Sequence, residues 1–155
     1  MLRRAVTAST GKRASARSPI LLTVRGRAKL YTLSDAGMLF HVGIAQQPMA
    51  SRLSYGFRAN GKGGYHGYKW KGLTQRMALS VWTAMIDDEP APLREMETVE
   101  AEVAFRCREQ SGQWPAYQHE IHFYKSAPEH RATARRIYEH ALSVAVRSSP
   151  QQLAR

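Results

Sequence analysis

The stretch that decides the fold is Lys29-Leu30-Tyr31-Thr32-Leu33, followed after Ser34-Asp35-Ala36-Gly37 by Met38-Leu39-Phe40-His41-Val42. The first run alternates, the second is compact and apolar, and the turn between them holds a glycine that can take positive φ. This pattern predicts a β-hairpin of two short strands. On such a hairpin Tyr31 and His41 can stand on one face.

Working outward, Pro48 precedes Met49, Leu53 and Phe57, whose i, i+4, i+8 spacing predicts a short helix with one apolar stripe, flanked by Arg52 and Arg58. Residues 60–72 contain five glycines and three lysines and read as a loop. Residues 78–86 are largely apolar, as suits a buried strand completing the sheet, and 87–92 close it. Leu93, Met96, Val99, Val103 and Cys107 recur at helical spacing up to Gly112, with acids early and bases late. Trp114-Pro115 interrupts, 120–124 reads as a short strand, and 128–146 carries Ala132, Ile137, Ala141 and Val144 along a terminal helix. The expected class is α/β of the mixed α+β kind: a small three-stranded sheet flanked by helices, with a C-terminal helix and no internal repeat.

The chain has 155 residues, 43% hydrophobic and 23% charged, enough for one domain with a packed core. Residues 19–149 are expected to form that domain, and 1–18 a basic flexible tail with five Lys or Arg and no acid. No apolar run is long enough to span a bilayer. The tail also has the Arg and Ser content of a transit peptide, but the apolar run 20–24 is too short for a secretory signal, so the expected location is cytoplasmic. A single cysteine, Cys107, excludes an internal disulfide and a cysteine-based zinc cluster.

Charge is distributed unevenly. Residues 1–86 hold 14 basic residues and one acid, net +13, whereas 87–155 hold 9 basic and 11 acidic residues, net −2. A basic field on one part of a small chain points to nucleic acid as partner, with no membrane involved. Arg58, Lys62, Lys69 and Lys71 are the candidate phosphate contacts, and Trp70, between two lysines, is a candidate for stacking on a base. Loops of the Walker type, Gly-x-Ser-x-Gly elbows and paired cysteines do not occur, which removes the usual signals of ATPases, serine hydrolases and zinc modules. What remains is Tyr31, His41, Arg52 and the Tyr65-His66-Gly67-Tyr68 run. A tyrosine, a histidine, an arginine and a later glutamate suffice to hydrolyse a phosphodiester: one group activates water, the arginine offsets charge on the phosphorus oxygens, and the glutamate holds a divalent cation.

The residues in this order resemble the GIY-YIG nucleases, whose core opens with a hairpin carrying Gly-Ile-Tyr and Tyr-Ile-Gly tripeptides about ten residues apart. Here Lys29-Leu30-Tyr31 and His41-Val42-Gly43 fill those places. The family continues with an arginine-bearing helix, a basic loop, a third strand and a helix presenting a metal-binding glutamate, and this chain follows that order from about 28 to 124. The resemblance implies a metal-dependent DNA endonuclease using Mg²⁺ or Mn²⁺, with duplex DNA as partner. Tyr31 would match the catalytic tyrosine, Gly43 the glycine closing the second strand, and Arg52 the arginine that neutralises the scissile phosphate. His41 replaces the second tyrosine and keeps a ring with a polar tip. Gly56 stands where some restriction-type members carry a histidine, a role for which His66 is the candidate substitute.

For the metal ligand, Glu100 and Glu102 lie about 200° apart on one helix, so only one can face the site. Glu102 resembles the family position better, with Glu120 the competing ligand, since Glu120 and His122 would share a face of a strand. Gln118 stands where the family often has an asparagine. Two other readings of the same residues are a non-catalytic nucleic-acid-binding module and a structural protein of a ribonucleoprotein particle.

Overall fold

The computed structural model describes residues 2–9, 23, 25–73 and 77–144, with 2–9 as backbone only. In chain order these form β1 (Leu2–Ser9), β2 (Lys29–Asp35), β3 (Met38–Ala45), α1 (Met49–Arg58), β4 (Ala78–Ile86), the short β5 (Glu89–Pro90), α2 (Leu93–Ser111) and α3 (Pro128–Ser143). The sheet is antiparallel in the order β1-β4-β2-β3, and β5 turns back on β4. The mixed α+β class holds, but the sheet has a fourth long strand in place of the expected three. That strand comes from Leu2–Ser9, inside the segment expected to be a flexible arm; the remainder, 10–18, lies outside the described residues. Pairing along the outer edge of β4 needs only main-chain donors and acceptors, so the run can join the sheet without an apolar pattern to announce it.

The other edge, β3, is covered by an irregular segment. The Tyr117 N–H donates to the Phe40 carbonyl at 2.9 Å. The Gln118 side-chain amide then imitates a strand: its Oε1 accepts from the Val42 N–H at 3.0 Å and its Nε2 donates to the Val42 carbonyl at 2.9 Å. The strand expected over 120–124 does not form, because these side-chain bonds already occupy the edge groups of Val42 that a further strand would pair with.

Each face of the sheet carries its own core. On one, Leu30, Val42 and Trp82 pack with Met96 and Val103 of α2 and Ile137 and Ala141 of α3. On the other, Tyr31, Leu33 and Val81 pack with Met49 of α1 and with Tyr68 and Trp70 of the glycine-rich loop. Val103 and Ile137 have no exposed surface, and burying such a side chain stabilises the fold by about 1.5–3 kcal/mol. Helix α2 buries the expected Met96, Val99, Val103 and Cys107 and ends at Gly112, whose φ of 76° closes the last turn. Helix α3 buries Ala134, Ile137, Tyr138 and Ala141, so its stripe starts at Ala134, not at the exposed Ala132; Val146 lies outside the described residues. Among the described residues no helix is long and apolar enough to cross a membrane.

Candidate functional site

The hairpin creates the site by a combination of register and irregularity. Tyr31 lies opposite Gly43 and Leu33 opposite His41, but Ser34 lies opposite Leu39, leaving Phe40 as an extra residue on β3. The bulge separates Leu39, which packs into the first core, from Phe40, which packs into the second beside Tyr31. His41, two places diagonal to Tyr31, meets it on the same side: the His41 Nε2 is 3.4 Å from the Tyr31 hydroxyl and the ring centroids are 5.5 Å apart. Gly43 makes this meeting possible. A Cβ at that position would stand 2.7 Å from the Tyr31 hydroxyl and 2.9 Å from the His41 Nε2.

The tautomer of His41 follows from its other nitrogen. Nδ1 lies 3.1 Å from the Tyr117 carbonyl, which can only accept, so Nδ1 carries the hydrogen and Nε2 presents a lone pair to the Tyr31 O–H. The imidazole is held neutral. Burial, together with the positive surroundings of His119, Arg52 and Lys69, pushes its pKa down to about 3, against a smaller opposing effect of the Tyr117 bond. Burial raises the Tyr31 phenol, which Arg52 only partly offsets. Neither Tyr31 nor His41 is appreciably exposed.

Arg52 enters from α1, one turn after Pro48, and is half-buried. Its guanidinium lies 5.5 Å from the centre of the Tyr68 ring, and its Nη1 donates to the Tyr65 hydroxyl at 3.5 Å. Its Nε is buried without a hydrogen-bond partner. The Tyr68 hydroxyl donates to the Arg52 carbonyl at 3.3 Å, while the Tyr68 ring occupies the space above Gly56, where a Cβ would come within 2.2 Å of it. The loop thus delivers Tyr68 to the site. His66, proposed from the sequence for the place beside Gly56, is exposed and lies against Gly61; among the described residues it has no bond or ring contact to Tyr31, His41 or Arg52.

Of the acidic candidates, Glu100 on α2 is the one within electrostatic reach of Arg52 and Tyr31. Burial, reinforced by Glu97, lifts its pKa to about 8 despite Arg52. Glu102, favoured from the sequence, lies two residues further along α2, about 200° round the helix from Glu100. Glu120 is exposed in the irregular segment and shares no strand face with His122. Among the described residues no group of three His, Cys, Asp or Glu side chains forms a ready metal cage. The donor set fits a hard divalent cation of the Mg²⁺ kind all the same, because Mg²⁺ is commonly held by one or two carboxylates with water and substrate phosphate completing the shell. A desolvated carboxyl with a raised pKa is also the group most relieved by a cation.

The candidate nucleic-acid contacts divide. Arg58, Lys62, Lys69 and Lys71 are exposed. Lys69 Nζ donates to the Gln118 carbonyl at 2.7 Å, and Lys71 Nζ to the carbonyls of Ala59 and His66 at 2.7 and 2.6 Å, so both ammonium groups are held over the loop. Trp70 is a correction. It is 2% exposed, stacked on Tyr68 with centroids 4.4 Å apart and met edge-on by Phe57, which makes it a core residue with no face open to a base.

Two members of the site had legible signals. Gly56 inside a helix marks a close approach, which Tyr68 makes. Measured from buried Met96, Glu100 lies about 40° round α2 and Glu102 about 240°, that is about 120° in the opposite sense, so Glu100 continues the inward stripe. His119, edge-on to His41 at 5.8 Å, has no such signal, because the irregular segment gives its position no periodicity. No family model, curated protein or solved structure matches this chain.

Proposed function

We propose that this chain is a divalent-cation-dependent DNA endonuclease of the GIY-YIG type, with Tyr31, His41, Arg52 and Glu100 as its working groups. One observation carries the reading: Tyr31 of β2 and His41 of β3 meet on one face with Arg52 of α1 close enough to act on both, and Glu100 of α2 is within electrostatic reach of Arg52 and Tyr31, in the chain order that the resemblance implies. The exposed Arg58, Lys62, Lys69 and Lys71 support duplex DNA as the substrate, because a phosphate backbone is bound chiefly through such cations. The buried, unpaired Cys107 suits a reducing cytoplasm.

In this reading Arg52 binds a non-bridging oxygen of the scissile phosphate and offsets the charge that grows there. Its unpartnered Nε and its long contacts to Tyr65 and Tyr68 leave it donors to spare. Tyr31 and His41 are covered in the free protein, so substrate binding has to open a path to them. The attacking water then gives its proton to the Tyr31 oxygen while Tyr31 passes its own to the His41 Nε2. The Tyr117 carbonyl keeps the ring in the tautomer that can accept it. The bound phosphate adds negative charge beside an imidazole held neutral largely by burial and positive neighbours, and so raises its basicity at the moment of transfer. Glu100 would hold Mg²⁺ or Mn²⁺, which when bound supplies electrostatic stabilisation of the phosphorane-like charge and the leaving oxygen.

The test is incubation of the purified chain with supercoiled plasmid, with and without Mg²⁺ or Mn²⁺. Nicked and linear products are expected only with cation, and Arg52→Ala and Glu100→Gln should abolish them while the circular dichroism spectrum is unchanged. Binding of duplex with no cleavage under any divalent cation would overturn the reading in favour of a non-catalytic binding module.

A further inference from the structure

Beside the catalytic cluster lies a pocket that the nuclease reading leaves unused. It has a volume of about 260 Å³ and is lined by Trp114, Pro115, Gln118, His119, Ile121 and Phe123. Its walls are aromatic: Trp114 and Phe123 meet at 6.0 Å with an interplanar angle of 58°, and both remain open to solvent, at 40% and 58% exposure. Large exposed aromatic rings at the mouth of a concavity are unusual on a small soluble domain and mark a binding surface. Its remaining polar side chains carry spare hydrogen-bonding capacity. The His119 Nε2 is buried without a partner. Gln118 spends one N–H and one lone pair on Val42, which leaves its second N–H and second lone pair.

We infer that this pocket receives one unstacked nucleobase of the DNA substrate, adjacent to the phosphate held by Arg52. The inference rests on the nuclease reading and deepens it, since it assigns the enzyme a substrate whose base leaves the helix stack next to the cut. Several observations select this occupant. The volume admits one heterocycle and falls below the range of sites built for larger ligands. Aromatic walls with a few convergent polar groups are the way an extruded base is held, by stacking on its faces and hydrogen bonding along its edge. The surroundings are cationic: the Arg108 guanidinium covers Trp114 at 5.2 Å, and Lys69 is fixed to the Gln118 carbonyl at 2.7 Å, so phosphates on either side of the base meet positive charge. Finally, His119 lies edge-on to His41 at 5.8 Å, which puts the base one side chain away from the proton-transfer pair.

Duplexes carrying 2-aminopurine at successive positions around the mapped cut site test this, using the full chain without divalent cation. Its fluorescence rises when the base leaves the stack. A rise is expected at one position beside the cut. Phe123→Ala should abolish that rise and lower cleavage in the presence of cation about tenfold, the scale of one lost stacking contact, and Phe123→Trp should restore both. Phe123 is exposed, so the alanine variant should keep the parent's urea midpoint. Cleavage by the parent with no fluorescence rise at any position overturns the base pocket and leaves the nuclease reading standing. A rise that survives Phe123→Ala also overturns it, because the base then goes elsewhere. Protection of Trp114 emission from acrylamide by a free mononucleoside but not by duplex would assign the pocket to a small molecule and overturn the inference as stated. If the parent neither binds nor cuts DNA, the nuclease reading fails and this inference with it.

Discussion

Replacing Glu100 with glutamine should make the protein more stable at neutral and alkaline pH while removing its response to divalent cations. The Glu100 carboxyl ionises near 8 in the fold, against an ordinary value of 4.5. Between those values the unfolded chain has released a proton that the folded chain still holds, so stability falls as pH rises through the window, by about 1.4 kcal/mol per pH step for full coupling. From pH 5 to 8 that gives an upper bound of about 4 kcal/mol; relaxation of Arg52 and water reaching the carboxylate reduce the expected difference to about 2 kcal/mol. Urea unfolding of parent and Glu100→Gln at pH 5 and pH 8 reads it directly. The two should nearly coincide at pH 5, and the variant should be about 2 kcal/mol more stable at pH 8, which in a thermal melt corresponds to a midpoint about 4–8 °C higher for a chain of this size. Adding Mg²⁺ at pH 8 should stabilise the parent and leave the variant unmoved. Other titrating groups are common to both proteins and cancel. Parallel stability curves, or a variant less stable than the parent at pH 8, would refute the placement of a desolvated carboxyl beside Arg52.

The remaining predictions concern the hairpin and the loop. Gly43→Ala forces a methyl against Tyr31 and His41, both covered and without room to withdraw, and should destabilise the chain by about 1–3 kcal/mol in urea titrations while abolishing cleavage; an unchanged midpoint would count against the close approach. His41, with a folded pKa of about 3, should show no imidazole titration by NMR between pH 5 and 8. Since the unfolded chain takes up that proton first, His41 removes stability as pH falls from about 6.5 toward 3, and His41→Phe should flatten this acid limb. Trp70→Ala should cost about 3–5 kcal/mol through the cavity it leaves, whereas Trp70→Phe should leave duplex affinity within twofold of the parent, as measured by fluorescence anisotropy. A large loss of affinity in the phenylalanine variant, with stability retained, would return Trp70 to the DNA interface.

What the sequence by itself determined is the set of elements whose pattern repeats: the hairpin about Gly37, the helix after Pro48, the strand 78–86, and the helix whose apolar stripe ends at Gly112. Periodicity of 2.0 or 3.6 residues is a local property, so each of these could be read without knowing its neighbours, and with them came the pairing of Tyr31 with His41 across the hairpin. Only the tertiary structure decided the rest. Leu2–Ser9 joins the sheet because β4 leaves an unpaired edge, and main-chain pairing does not depend on side-chain pattern. Glu100 comes within electrostatic reach of Arg52 because packing fixes the rotation of α2, which helical periodicity alone leaves open. Trp70 goes into the core, stacked on Tyr68 under Arg52, because a glycine-rich loop has no period and its side chains are placed by the surfaces it folds against. The same holds for Gln118 and His119, whose positions follow from covering the edge of β3, a demand set by a strand some 76 residues earlier in the chain.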